Sequence, residues 1–307
     1  MERATKNPGR SVTVLAIALM LAIFGVLAGG CTTDSDGADS DVSSKGSIHI
    51  GWIPWEEDIA ATYLWENLLE SEGYDVELTQ LDVAPVFEGV ASGDLDLFFD
   101  VALPVTHADY WAEYGDRLED YGSWYDNVTL EWAVPEYVDI DSIEDLAGME
   151  DGFDGRIVGI EPGAGLMRIS RDEVMPAYGL DGYTLVEGST PAMLAELERA
   201  IQSEAPIVVT LWHPHWAYSA YPIKDLDDPK GTLGGAGAAH TVGRLGFEEE
   251  FPEVVEWIKR FRMDDEQLAA LEDLIMNEYG VGKEAEAVEE WLSDADNRAL
   301  VDGWLGK

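Results

Sequence analysis

The chain has 307 residues, with 62 acidic and 18 basic side chains and a formal charge of −44. That balance excludes a phosphate-backbone binder, which needs a basic face, and docking on anionic lipid through a polybasic patch. A single cysteine excludes a disulfide framework and a multi-cysteine metal cluster, while 46% apolar residues are ample for a packed core.

In chain order, Arg3, Lys6 and Arg10 precede an apolar stretch over residues 14–27. It is too short for the roughly 20 residues that span a bilayer. Ala28, Gly29 and Gly30 follow, and then Cys31, the one cysteine. A basic start, a short apolar segment and small residues at the cut read as a secretory signal over residues 1–30. The cysteine at the cut resembles that of a bacterial lipoprotein lipobox, which implies lipidation of Cys31 and a lipid anchor in the cell membrane. Residues 31–46 are rich in Ser, Asp and Gly and read as a flexible tether. Their D-x-D spacing does not make a calcium loop, because the glycine falls too early and no glutamate follows at the right distance.

Ile48, Ile50 and Trp52 alternate, which predicts a strand. Asp58 is the expected cap of a helix running to about Glu72, with Ala60, Leu64 and Leu68 beside Ala61, Trp65 and Leu69 on its apolar stripe. Gly73 is its expected stop. Val76 and Leu78 start a second strand, residues 85–91 a short helix, and residues 95–99 a third strand. The pattern recurs with a buried strand over 156–160 and a helix over 167–178 that Pro176 should break or kink. A helix opened by Thr190 and Pro191 follows, and then a strand over 207–211. The tail reads as helices over 252–261, after an Asp264 cap, and over 283–292. Strands alternating with helices predict an α/β fold with largely parallel sheets. Two such units suggest two lobes around a cleft. Lobe 1 is expected over 47–134 and 239–307, and lobe 2 over 135–238.

Four junctions after strands carry distinctive residues: Trp55 in WIPWEEDIA, His107 in DVALPVTHADYW, the turn EPGAGL at 161–166, and Trp212 in VVTLWHPHW. They should converge at the carboxyl edges of the sheets. The glycines of EPGAGL precede a helix whose free N–H groups can hold an anion. The turn lacks the Lys-Ser/Thr ending of a P-loop and the full dinucleotide spacing, so a carboxylate fits it better than a polyphosphate. No G-x-S-x-G elbow or H-E-x-x-H motif is present, so the chain does not read as an enzyme. His213 and His215 stand at i and i+2 with no third ligand in the motif, and neither a metal nor a cofactor is expected. A secreted hydrolase using a His/acid pair is the remote alternative. Acidic pairs such as Asp94/Asp96 and Asp139/Asp141 read as solvated.

The stretches WIPWEEDIA, YDVELTQLDVAPVFEGVASGDLDLFFD, LPVTHADYWAEYGDRLEDYGSWYDN, GIEPGAGLM, IVVTLWHPHWAY and LDDPKG closely resemble the glycine betaine-binding lipoproteins of osmoprotectant ABC importers. The resemblance runs from about Ile48 to about Trp304. It implies a two-lobe, type II periplasmic-binding-protein-like fold that closes on a compact zwitterion outside the cytoplasm and delivers it to ABC transporter permease subunits. It also implies that Trp55 and Trp212 cage the quaternary ammonium head, while His107 and the backbone N–H groups of Gly165 and Leu166 hold the carboxylate. One position departs: the family motif D-x-W-L-P-x-T-H reads DVALPVTH, so Ala102 stands where a third aromatic wall is expected. Either another ring fills the gap, with Trp52 the candidate, or the cage is more open. Glycine betaine is the expected ligand; carnitine, choline, proline betaine and dimethylsulfoniopropionate are the alternatives. A trimethylammonium group has no N–H to donate, so aromatic faces are the surfaces that can grip it.

Overall fold

The computed structural model describes residues 44–307. The expected signal segment, the lipidation of Cys31 and the tether up to residue 43 lie outside the described residues. Lys45 already belongs to the fold: its backbone N–H donates to Gly73 O at 2.9 Å, and its ammonium lies over the Tyr74 ring.

The first lobe opens with β1 (Ser47–Trp52), α1 (Glu56–Ser71), β2 (Asp75–Gln80), α2 (Val83–Ser92) and β3 (Leu97–Leu103), with β1 paired in parallel to both β2 and β3. Helix α1 begins two residues before Asp58, with Trp55 as its N-cap residue. Asp58 is buried and does not cap. Its carboxylate accepts from Ile53 N–H at 2.7 Å and from the Thr62 hydroxyl at 3.3 Å, tying the β1–α1 turn to the helix. Gly73, at φ +93°, follows the helix end in a conformation that glycine adopts without a Cβ clash.

After α3 (Ala108–Tyr114) comes β4 (Leu118–Pro135), an 18-residue strand that the sequence pattern conceals. Register shifts at several points along it break the alternation on which strand reading depends. The second lobe continues with β5 (Arg156–Val158), α4 (Gly165–Ile169), α5 (Met175–Tyr178), β6 (Thr184–Val186), α6 (Thr190–Ser203), β7 (Val209–His213), α7 (Ala217–Ala220) and β8 (Ile223–Asp225). Between α4 and α5 the chain makes a π-helical turn, Ser170–Val174. This wider turn just before Pro176 lets the helical path carry on where the proline was expected to break it. The chain then returns to the first lobe through β9 (Gly237–Arg244), which pairs with β3 and with the first part of β4.

The sheet order is β2-β1-β3-β9-β4-β7-β5-β6, with β8 also on β4. The expectation of largely parallel sheets is therefore corrected. Parallel pairing is confined to β1–β2, β1–β3, β5–β6 and β5–β7, and every pair made by β4 or β9 is antiparallel. The long strand β4 joins both lobes into one curled sheet. The tail packs α8 (Phe247–Glu250), α9 (Pro252–Ile258), α10 (Asp265–Asp273), α11 (Glu284–Trp291) and α12 (Ala295–Leu305) on the first lobe. Asp264 caps α10 as expected, exchanging bonds with Gln267 in a capping box. One buried cluster runs across both lobes, from Phe87 and Phe98 to Trp132 and Leu197. A second is built around Trp65, Phe99, Trp124 and Phe261.

The charge is handled locally. Asp96, expected to be solvated, accepts from His49 N–H at 2.7 Å and pairs with Arg244 at 2.6 Å. With 62 acids facing 18 bases, most carboxylates have no such partner, and their mutual repulsion acts against the compact state. The melting temperature is expected to fall as NaCl is lowered from molar to millimolar, since salt screens exposed like charges. Each kcal/mol of lost stability should register as about 2–4 °C. Scanning calorimetry over that range checks this, and a constant melting temperature contradicts it.

Candidate ligand-binding site

The turns that follow β1, β3 and β5 meet the end of β7 around one cavity, ≈ 330 Å³ including the space at its mouth. Trp55, Glu57, Asp100, Ala102 and Thr106 line it from the first lobe, and Ile160, Ala164, Leu166 and Trp212 from the second; Val128 and Leu130 come from β4 between them. The Trp55 and Trp212 rings lie 6.0 Å apart, centroid to centroid, and are inclined at 51°, so that their faces form an open V. Each indole N–H is anchored by a carboxylate of the other lobe. Trp55 Nε1 donates to Glu161 at 3.3 Å, and Trp212 Nε1 donates to Glu57 at 3.1 Å. Glu161 is itself fixed by Thr190, whose N–H and hydroxyl donate to it at 2.9 and 3.0 Å.

His107 stands behind Trp55 rather than in the cavity wall, its ring stacked at 5.8 Å and 15°. It is fully buried. Its Nδ1 accepts from Ala102 N–H at 3.0 Å, and its Nε2 has no partner. Burial pushes its pKa down to about 3, so the ring is neutral. With Nδ1 acting as an acceptor, the remaining proton sits on Nε2, a buried donor without an acceptor. Leu166 lines the cavity and Gly165 sits beside it as the first residue of α4. A Cβ on Gly165 would lie 1.9 Å from Thr106 O, so only glycine lets the second-lobe turn press this closely on the first lobe. The first N–H groups of that helix have no intrahelical acceptor.

The gap at Ala102 is not filled by Trp52. That ring lies at the end of β1, outside the cavity wall, packed edge-on against Tyr63 at 5.9 Å. Ala102 is part of the wall, and two carboxylates accompany it, Glu57 and Asp100, which the sequence reading did not single out. Glu57 is one of three consecutive acids after Trp55. Acids are ordinary in the first turn of any helix, which hid its inward direction. Burial, with the nearby charges of Asp100, Glu272 and Glu56, raises the Glu57 pKa well above the usual carboxylate range. Burial lifts Asp100 to about 7, and its Oδ2 has no partner.

Further polar contacts close the lobes on each other. The Tyr110 hydroxyl donates to Gly163 O at 2.8 Å, Arg168 pairs with Asp109 at 2.7 Å, and Trp216 Nε1 donates to Glu56 at 3.2 Å. His215 Nε2 stands 3.3 Å from the same Glu56 carboxylate. His213 points to the other face of the sheet, where it meets Asp225 at 2.9 Å.

Residues 46–294 match the family described as OpuAC, substrate binding domain of ABC-type glycine betaine transport system. The chain is 35% identical over 140 residues to the glycine betaine/carnitine transport binding protein GbuC of Listeria monocytogenes, a match spanning 45% of each, so the aligned part is under half of that relative's length. A crystal structure of the glycine betaine/L-proline-binding protein ProX of Borrelia burgdorferi is similar at a TM-score of 0.79 and 32% identity, covering 84% of this chain and 96% of that one. Lactococcal OpuAC in its closed conformation with glycine betaine is similar at 0.78 and 31%, covering 85% and 99%. The fold is that of these two-lobe binding proteins, and the chain belongs to the OpuAC family, the substrate-binding domains of ABC-type glycine betaine transport systems.

Proposed function

We propose that the protein is an extracytoplasmic solute-binding protein that captures glycine betaine or a related quaternary ammonium solute and presents it to the permease subunits of an ABC importer, held at the membrane by a lipid on Cys31. The observation that carries this reading is the pair of indoles, one from each lobe, flanking a single cavity. A cation at that position gains about 2 kcal/mol or more from each desolvated face. The N–H groups of Gly165 and Leu166 supply what a carboxylate needs, and the orphan Nε2 donor of His107, behind Trp55, joins them only if the Trp55 ring gives way to the ligand. Because the wall residues come from both lobes, a ligand touching all of them favours the closed form.

The test is a tryptophan-fluorescence titration with glycine betaine, proline betaine, carnitine, dimethylsulfoniopropionate and choline. Saturable quenching or a spectral shift with at least one of them is expected, and silence with all of them removes the reading. The Glu57 and Asp100 carboxylates favour a second one, in which choline, a cation without a carboxylate, is the preferred ligand. His107→Ala separates the two. If His107 holds a carboxylate, the variant should lose glycine betaine affinity by about 1.5–3 kcal/mol, the range for a hydrogen bond to a charged group, and bind choline nearly as before. Equal losses for both ligands would mean that His107 only supports Trp55.

A further inference from the structure

Three neighbouring strands of the second lobe bring together side chains that the sequence keeps far apart. Strand β4 lies between β7 and β8, with Thr129 opposite His213, Glu131 opposite Leu211, and Ala133 opposite Asp225. Residues opposite each other, and residues two apart on a strand, share a face. Glu131, His213 and Asp225 therefore stand on one face of the sheet, and Trp212 on the other. One ligand atom from each of the three lies within 4.8 Å of the other two. His213 Nε2 is 2.9 Å from Asp225 Oδ2.

The surroundings fix these groups. The Tyr218 hydroxyl donates to Asp225 Oδ1 at 2.5 Å, and the His213 ring stacks on Tyr218 with centroids 3.9 Å apart. Such contacts orient metal ligands from behind. Among the described residues, no Lys or Arg forms an ion pair with Glu131 or Asp225, and the imidazole bonds to Asp225 alone. The His213 and Asp225 side chains are 38% and 35% exposed, which leaves room for water at a remaining coordination position.

We propose that Glu131, His213 and Asp225 form a binding site for a divalent transition-metal ion, with one imidazole nitrogen, two carboxylate oxygens and water as ligands. An imidazole among the donors suits zinc, cobalt or nickel and disfavours calcium and magnesium, which take oxygen ligands. Three protein ligands with an open position is a known zinc arrangement. The HPH motif carried no metal reading because its missing partners sit on other strands, reached only through the β4 pairing.

The experiment uses the full chain without added histidines, stripped with a chelator and dialysed against zinc with excess calcium to mask the acidic surface. One zinc per chain is expected by elemental analysis. His213→Gln should abolish that binding, and Glu131→Gln and Asp225→Asn should each weaken it. Tyr218→Phe should cost about 10-fold or more. His240→Gln is the control: His240 meets only Asp120, so zinc should be retained. Circular dichroism of each variant checks its fold, and cobalt absorption reports the coordination geometry, which His213→Gln should change. No stoichiometric zinc, zinc displaced by calcium, or zinc content and cobalt spectrum unchanged in folded His213→Gln would each overturn the proposal, leaving adventitious surface binding only.

Discussion

Replacing Trp212 by alanine is expected to weaken glycine betaine binding by a factor of about 30 or more, the equivalent of about 2 kcal/mol for one desolvated cation–π face. The same size of loss is expected for Trp55→Ala. Neither indole acts alone. Each is pinned through its N–H to a carboxylate of the opposite lobe, so truncation also loosens lobe contact. Trp→Phe substitutions separate the two contributions, because phenylalanine keeps an aromatic face and loses the N–H. A variant that binds normally as Phe but not as Ala assigns the energy to the face. One that fails in both forms assigns it to the anchor. Trp52→Ala is the control, expected to stay within about twofold, since that ring packs on Tyr63 away from the cavity. Isothermal titration calorimetry reads all five variants. A full-strength Trp212→Ala protein would mean that the ligand lies elsewhere.

The sequence made the parts of the site visible and left their relations hidden. Trp55, Leu166 and Trp212 lie in the cavity wall, because residues at strand-to-helix junctions collect at one edge of a sheet whatever the strand order. His107 and Gly165 support that wall from behind. The expected helix ends near Gly73 and Asp264 follow from local capping chemistry, which needs only adjacent residues. What escaped was non-local. Strands β4 and β9 carry register shifts that interrupt alternation, and the antiparallel bond they form between the lobes has no counterpart in a local pattern. The inward course of Glu57 is of the same kind, since a first-turn acid normally faces water. Its partner is Trp212, 155 positions away. Trp52 shows the converse. Its alternation with Ile48 and Ile50 identifies the strand correctly but does not say where the last ring of that strand will rest.

Affinity for a quaternary ammonium ligand is expected to rise with pH between about 5 and 8 and to be accompanied by proton release. The reason lies in two carboxylates of the cavity wall. Asp100, lifted by burial to about 7, is largely protonated in mildly acidic solution without ligand, and burial with its acidic neighbours raises Glu57 in the same direction. A permanent cation among them favours their charged forms and lowers both pKa values. The ligand then binds best where a proton has already left, and each proton released contributes up to about tenfold in affinity per pH unit. Stability of the ligand-free protein is a poorer readout, because two effects oppose each other. Asp100 binds more protons when folded, so its contribution declines as pH rises from near 4 through about 7, and Glu57 acts in the same direction. His107, lowered to about 3, binds fewer protons when folded, so its contribution grows as pH rises from about 3 to 6.5. Calorimetric titration in two buffers of different ionisation enthalpy isolates the protons released by the ligand. In Asp100→Asn combined with Glu57→Gln the pH slope should flatten, with affinity at pH 5 changed less than at pH 8. A slope equally steep in the double variant would place the titrating group outside the cavity, and a flat profile in the parent protein would show that the two acids keep their protons beside the bound cation.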